Sequence, residues 1–239
     1  MKIKSLLFTL LLLLAFGANA KQYELIKEHS KIGFSIDYML MTKVDGIFKN
    51  YVGYFDLNDA KDELRNVSIT VFAKSVDTND EKRDFHVRGH EFFLVTTYPY
   101  MTFKAAGPVK IKAGEEFEIK GVLTLKDKSK DVTFKGIYRG EMRDPWDKNN
   151  LFFNLHSQIN RKDFGIEWNK QMDSGGWLIG DEVKIDVVVQ AQAKSDKTPF
   201  STHMVPQTKG IKERDELKKG KRDKLSTPTD PKDHKAPKK

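Results

Sequence analysis

The chain of 239 residues contains no cysteine. That absence excludes disulfides, thiolate catalysis and cysteine-ligated metal, so any folded body must hold together by its apolar core alone. Long hydrophobic runs are nearly missing too. Residues 5–16 form the one extended apolar run, and it is too short to span a bilayer comfortably. Catalytic signatures are also lacking. His29-Ser30 has no G-x-S-x-G elbow around it, and adjacency in sequence is not adjacency in geometry. His86 and His90 have the helical spacing of a zinc pair, but Val87 stands where a zincin carries Glu and no third ligand is evident. The chain therefore reads as no enzyme, with no catalytic residue, no metal and no cofactor. A basic folded surface is missing as well. The net charge of +8 comes mainly from residues 194–239, with 14 Lys+Arg against 7 Asp+Glu, while residues 21–193 hold 26 against 27. A nucleic-acid-binding body carries its basic excess on the folded surface, so no nucleic acid is expected as a partner.

What is present begins at the N-terminus. Lys2 and Lys4 precede the leucine run, and Gly17-Ala18-Asn19-Ala20 supplies the small residues of an A-x-A cleavage site. Residues 1–20 read as a signal peptide, which predicts an exported protein starting at Lys21. Residues 21–193 are long enough for one domain of ordinary stability. Beyond them, residues 194–239 are rich in Lys, Asp, Pro and Thr with few aliphatics. Such a segment buries too little apolar surface to offset its ordering entropy, and it reads as disordered. It is either a solvated extension or a peripheral contact with anionic envelope surfaces.

Between Tyr23 and Ala193 the chain alternates with period two. Ile32, Phe34, Ile36 and Tyr38 share one face, as do Val67, Ile69 and Val71; residues 116–125, 132–138 and 182–189 behave alike. Turn residues at 58–62, 112–114, 127–130 and 147–150 separate these runs. About eight or nine half-buried antiparallel strands follow. An all-β closed barrel accommodates that number without exposed edges, and a two-sheet sandwich satisfies the same pattern.

The exception is the stretch 79–93. Thr78 or Asn79 is the expected N-cap, with Asp80 and Glu81 favourable in the first turn. Phe85, Gly89, Phe92 and Phe93 fall near one face, and Gly89 limits the helix to about three turns. One short helix among strands, ending in Phe92-Phe93, predicts a lid or plug on a barrel. Arg83, Arg161 and Asp163 are candidates for a hydrogen-bonded cluster joining it to the irregular loop at 160–180, which Trp168 and Trp177 would anchor.

These segments resemble the YceI-like family. The resemblance rests on Glu28-His29-Ser30, Phe34, Ile36 and Gly46-Ile47-Phe48, then on Arg83-Asp84-Phe85-His86 and Glu91-Phe92-Phe93. It continues through Tyr98-Pro99, Thr102-Phe103, Gly121 to Thr124, and Asn160-Arg161 to Ile166. It spans about residues 22–192. Two positions depart from the family pattern: Gly89-His90 replaces small polar residues, and Leu94 stands where Asp is frequent. The resemblance implies a lipocalin-like antiparallel β-barrel of about eight strands, exported to the periplasm, holding a long-chain isoprenoid or fatty-acid-like lipid. The residues expected to line its lumen are Phe34, Ile36, Phe48, Phe72, Phe92, Phe93, Phe103, Leu123 and Phe134. A barrel filled with side chains, acting through its tail, is the competing reading, and a homodimer is left open.

Overall fold

The computed structural model describes residues 20–194. The signal-peptide and tail readings, on residues 1–19 and 195–239, lie outside the described residues.

Twelve strand segments follow one another along the chain. They are β1 (Ala20–Leu25), β2 (Lys31–Tyr38), β3 (Thr42–Phe48), β4 (Tyr51–Asn58), β5 (Glu63–Phe72) and β6 (Val76–Asp77), then β7 (Tyr100–Ala105), β8 (Val109–Lys110), β9 (Glu116–Leu125), β10 (Lys128–Arg143), β11 (Asn149–Asn160) and β12 (Ile179–Ala193). Between β6 and β7 lies the helix α1 (Glu81–Arg88). All pairings are antiparallel, and β1-β4-β5-β7-β9-β10-β11-β12 closes on itself through the β1–β12 pairing, Tyr23 opposite Ala193. The result is a closed eight-stranded antiparallel barrel.

Two of the four extra segments are β6 and β8, two-residue strands that pair with β3 and β5, and the other two arise because two staves are broken. A 3-10 turn at Lys27–His29 splits the first stave into β1 and β2, and β12 pairs with both halves in succession. Residues 49–50 split the second stave into β3 and β4, which pair with β2 and β1 respectively. Closure through the β1–β12 pairing makes this a barrel and not the two-sheet sandwich, which would show the same period-two pattern. β9 shows that pattern directly: Phe117, Ile119, Leu123 and Leu125 are buried between exposed or half-buried neighbours.

One end of the barrel is solid. Phe153 stacks on Tyr138 at 4.8 Å and meets Phe55 edge-on at 5.6 Å, and Phe55 stacks on Tyr23 at 5.6 Å. Leu57, Leu151 and Ala191 are buried around this cluster. Burial raises the phenol pKa of both Tyr23 and Tyr138.

Two glycines let aromatic rings approach the wall. A Cβ on Gly46 would lie 2.3 Å from the Phe34 ring, and one on Gly121 would lie 2.3 Å from the Lys104 carbonyl oxygen and 2.6 Å from the Phe103 ring. The backbone oxygen cannot swing aside as a side chain can. Gly121→Ala is therefore expected to cost about 1–3 kcal/mol through overpacking, read as a lowered midpoint in thermal unfolding. Gly107→Ala, with nothing within 4 Å of its Cβ, should leave the midpoint in place.

α1 keeps within the expected three turns, but it starts after neither Thr78 nor Asn79. Its N-cap is Asp80, whose carboxylate accepts the Arg83 backbone N–H at 2.9 Å. That hydrogen bond holds the Asp80 carboxyl below its ordinary pKa. The helix stops at Gly89. The chain then folds back through turns in which the Phe93 N–H donates to the Val87 carbonyl at 3.1 Å and the Val95 N–H to that of Arg88 at 3.1 Å. This return brings Phe92 and Phe93 beneath the helix.

Candidate ligand chamber

Above the aromatic floor the barrel is hollow. A cavity of about 600 Å³ runs from Phe55, Phe117 and Phe153 up to α1 and the loop at 160–180. Its walls are Val, Ile, Leu and Phe from the inward faces of the staves. Eight of the nine residues expected at the lumen line it: Phe34, Ile36, Phe48, Phe92, Phe93, Phe103, Leu123 and Phe134. They meet as rings, Phe34 to Phe48 at 5.5 Å, Phe48 to Phe93 at 5.8 Å and Phe103 to Phe134 at 5.0 Å.

Phe72 is not among the lining residues. Val67, Ile69 and Val71 of β5 face the cavity, and Phe72 follows Val71 with the opposite parity. Its ring packs edge-on against Tyr100 at 5.2 Å instead. Phe85 likewise leaves the face assigned to it and is 81% exposed on α1. The face of α1 turned to the cavity carries Arg83, His86 and Val87. Val183, Ile185 and Val187 of β12 also line the cavity, although the sequence marks them only as one face of an alternating strand and not as lumen residues.

The polar groups gather at the lid. Thr78 is buried, and its hydroxyl donates to Asp84 Oδ1 at 2.7 Å while accepting from Arg83 Nε at 2.8 Å. Asp84 Oδ1 also accepts the Thr78 backbone N–H at 2.8 Å, and Arg83 Nη2 donates to the Thr78 carbonyl at 2.7 Å. On the outer side, Arg88 donates to the carbonyls of Lys74 and Val76 at 2.9 and 2.7 Å. These bonds tie α1 to the segment that carries β6. Between lid and loop, His86 Nε2 pairs with Glu91 at 2.6 Å, and the ring stands edge-on to Trp168 at 4.9 Å and to Phe92 at 5.0 Å. His86 therefore spends its polarity on Glu91, and His90 is exposed.

Arg161 organises the loop. It is 3% exposed and donates to four acceptors: the carbonyls of Gly180, Ile166 and Trp168 at 2.8, 2.7 and 2.8 Å, and Asp181 Oδ1 at 3.1 Å. Burial lowers the guanidinium pKa, and the Asp181 carboxylate opposes that. The expected cluster of Arg83, Arg161 and Asp163 does not form, because Arg83 is held by Thr78 and Arg161 by Asp181. Of the two tryptophans, Trp168 lines the cavity, while Trp177 is 57% exposed. Among the described residues no three His, Cys, Asp or Glu side chains gather as metal ligands. Ser30, beside His29, exchanges hydrogen bonds with the Gln190 backbone at 3.2 and 3.1 Å.

A closed antiparallel barrel with a hollow apolar interior and one short helix at its mouth defines a lipocalin-like protein. The YceI-like domain matches residues 23–191, and the chain belongs to that family. Protein YceI of Salmonella newport (strain SL254) is 36% identical over 164 residues, covering 68% of this chain and 82% of that protein. The YceI protein of Campylobacter jejuni superposes with a TM-score of 0.58 at 26% identity, over 67% of this chain and 91% of that one. A polyisoprenoid binding domain from Saccharophagus degradans shares the fold, with a TM-score of 0.51 at 15% identity over 72% and 98% of the two chains. Leu94 adopts φ 47, a region that Asp enters far more readily than Leu.

Proposed function

We propose that the protein is an exported, non-catalytic carrier or buffer that holds a long-chain isoprenoid or related amphipathic lipid inside the barrel. The observation that carries this reading is the cavity of about 600 Å³ with apolar walls and polar groups confined to one end. That volume lies in the range of small-molecule sites, about 300–1,000 Å³. At about 30 Å³ per water-sized group it has room for roughly twenty carbon positions. Affinity would come from burying apolar chain at about 25 cal/mol per Å², less the ordering of the ligand. The residues proposed to touch the ligand are Phe34, Ile36, Phe48, Phe92, Phe93, Phe103, Leu123 and Phe134. Family membership supports the reading, and the Saccharophagus degradans neighbour is a polyisoprenoid binding domain, which points to the same ligand class. A filled scaffold has no use for such a space, which is why the lipid reading ranks above it.

Export is read from residues 1–20, and a periplasmic location from the family resemblance. Organic extraction of the purified protein followed by mass spectrometry tests the proposal. A co-purifying isoprenoid or fatty-acid-like lipid near one per chain is the expected result. Finding none, together with no uptake of isoprenoid alcohols offered in solution, would refute it.

A further inference from the structure

The β2–β3 hairpin ends in a three-residue loop, Met39, Leu40 and Met41, between the paired residues Tyr38 and Thr42. All three side chains face solvent, at 47%, 76% and 94% exposure. Met39 and Leu40 take φ of 53 and 61, a region where Asn, Asp or Gly is the favoured occupant. Three apolar residues in a row thus occupy a turn that neither hydration nor backbone geometry favours.

The tip has a neighbour. The Met39 N–H donates to the Leu178 carbonyl at 2.8 Å, and Leu178 follows the exposed Trp177. Gly176 lies against Leu40, so a Cβ there would be 3.3 Å from Leu40 Cδ1. The two loops form one exposed apolar patch, and it adjoins the cavity wall: Tyr38 and Leu178 line the chamber, and Met39 and Trp177 are their chain neighbours. Lys43, opposite Asp37 in the β2–β3 pairing, and Lys170, whose carbonyl accepts the Leu178 N–H at 2.9 Å, lie beside these residues.

We propose that residues 39–41 and Trp177 insert into the interfacial region of a lipid bilayer and seat the mouth of the barrel on it, so that ligand passes between membrane and chamber. The inference rests on the lipid-binding reading above. A hairpin turn of exposed apolar side chains suits a fluid surface, and Trp and Met suit a boundary between hydrocarbon and headgroups. Continuity with the chamber specifies the occupant, because an apolar chain leaving through this mouth would otherwise cross water.

Flotation of the chain from Lys21 to its end with dioleoylphosphatidylcholine vesicles tests this. Uncharged vesicles in about 0.5 M salt suppress electrostatic contact by other parts of the chain. The wild type is expected to float with the vesicles. Leu40→Asp/Met41→Asp should lower the partition coefficient at least about tenfold. Met142→Asp, an exposed apolar residue on the β10–β11 side, should change it less than about twofold. All three proteins should take an isoprenoid alcohol from cyclodextrin equally well. A wild type that ignores these vesicles, or a Leu40→Asp/Met41→Asp variant that floats like the wild type, overturns the proposal. So does a variant whose only change, by sedimentation, is conversion of a dimer to a monomer, which would assign the patch to a second copy. Wild-type failure with cyclodextrin refutes the lipid-binding reading itself, and the docking proposal with it.

Discussion

Replacing Val183 and Val187 together with tryptophan should weaken lipid uptake at least about tenfold while leaving the barrel folded. Both valines lie on the inward face of β12 and line the chamber, half-buried against open space rather than against packed atoms. Enlarging a side chain in a packed core costs about 1–3 kcal/mol in strain. Here the indoles have a cavity of about 600 Å³ to enter, and they take up much of the room that a ligand chain needs. Affinity for an isoprenoid alcohol is expected to fall at least about tenfold, with circular dichroism and the unfolding midpoint close to wild type. Val188→Trp is the control. Val188 points outward, 45% exposed, so its replacement should leave binding unchanged. Equal affinity in the doubly substituted protein would place the ligand elsewhere.

The second large effect concerns Arg161. Its guanidinium satisfies three backbone carbonyls and a carboxylate inside a loop that has little regular structure of its own. Truncation to alanine strands those acceptors, and breaking a buried charged network of this kind costs about 3–5 kcal/mol. For a domain of this size the unfolding midpoint should drop by roughly 10 °C. Arg161→Lys should recover little of the loss, since one ammonium cannot reproduce the planar fork that reaches Gly180, Ile166 and Trp168 together. Trp168 fluorescence should shift red in both variants as the indole loses its place against His86 and Phe92. A variant with the wild-type midpoint and spectrum would mean that the loop is held by something other than this residue.

Strand parity is the most legible property of the sequence. The alternation in β2, β5, β9, β10 and β12 places the inward residues correctly, because a half-buried antiparallel strand must repeat every second residue. Size is a poorer guide than parity. Phe72 suits the lumen by its bulk, yet its parity opposes that of Val71, and parity decides its place. Segment number is harder to read, since the breaks at 27–29 and 49–50 interrupt staves without ending them, and only the pairing of β12 with both β1 and β2 reveals the closure.

Tertiary choices leave weaker traces. Arg161 stands out by its type and its loop, but most of its partners are backbone carbonyls, which carry no side-chain signal. Phe85 and Trp177 suit an inward place because aromatics usually are buried, yet each faces solvent near residues that line the chamber, Phe85 beside His86 and Trp177 beside Leu178. Whether the barrel is hollow or filled is not legible at all. It depends on summed side-chain volumes against barrel radius, which an eight-stranded barrel can settle either way.

Lipid binding inside the barrel is tested most directly by locating the ligand through nuclear Overhauser contacts between a bound isoprenoid alcohol and isotopically labelled methyl groups. Contacts are expected from the ligand chain to Leu123, Val183 and Val187 inside the barrel, and none to Val188 on its outer face. Contacts confined to outward-facing methyls, with the interior methyls unperturbed at saturating ligand, would contradict it.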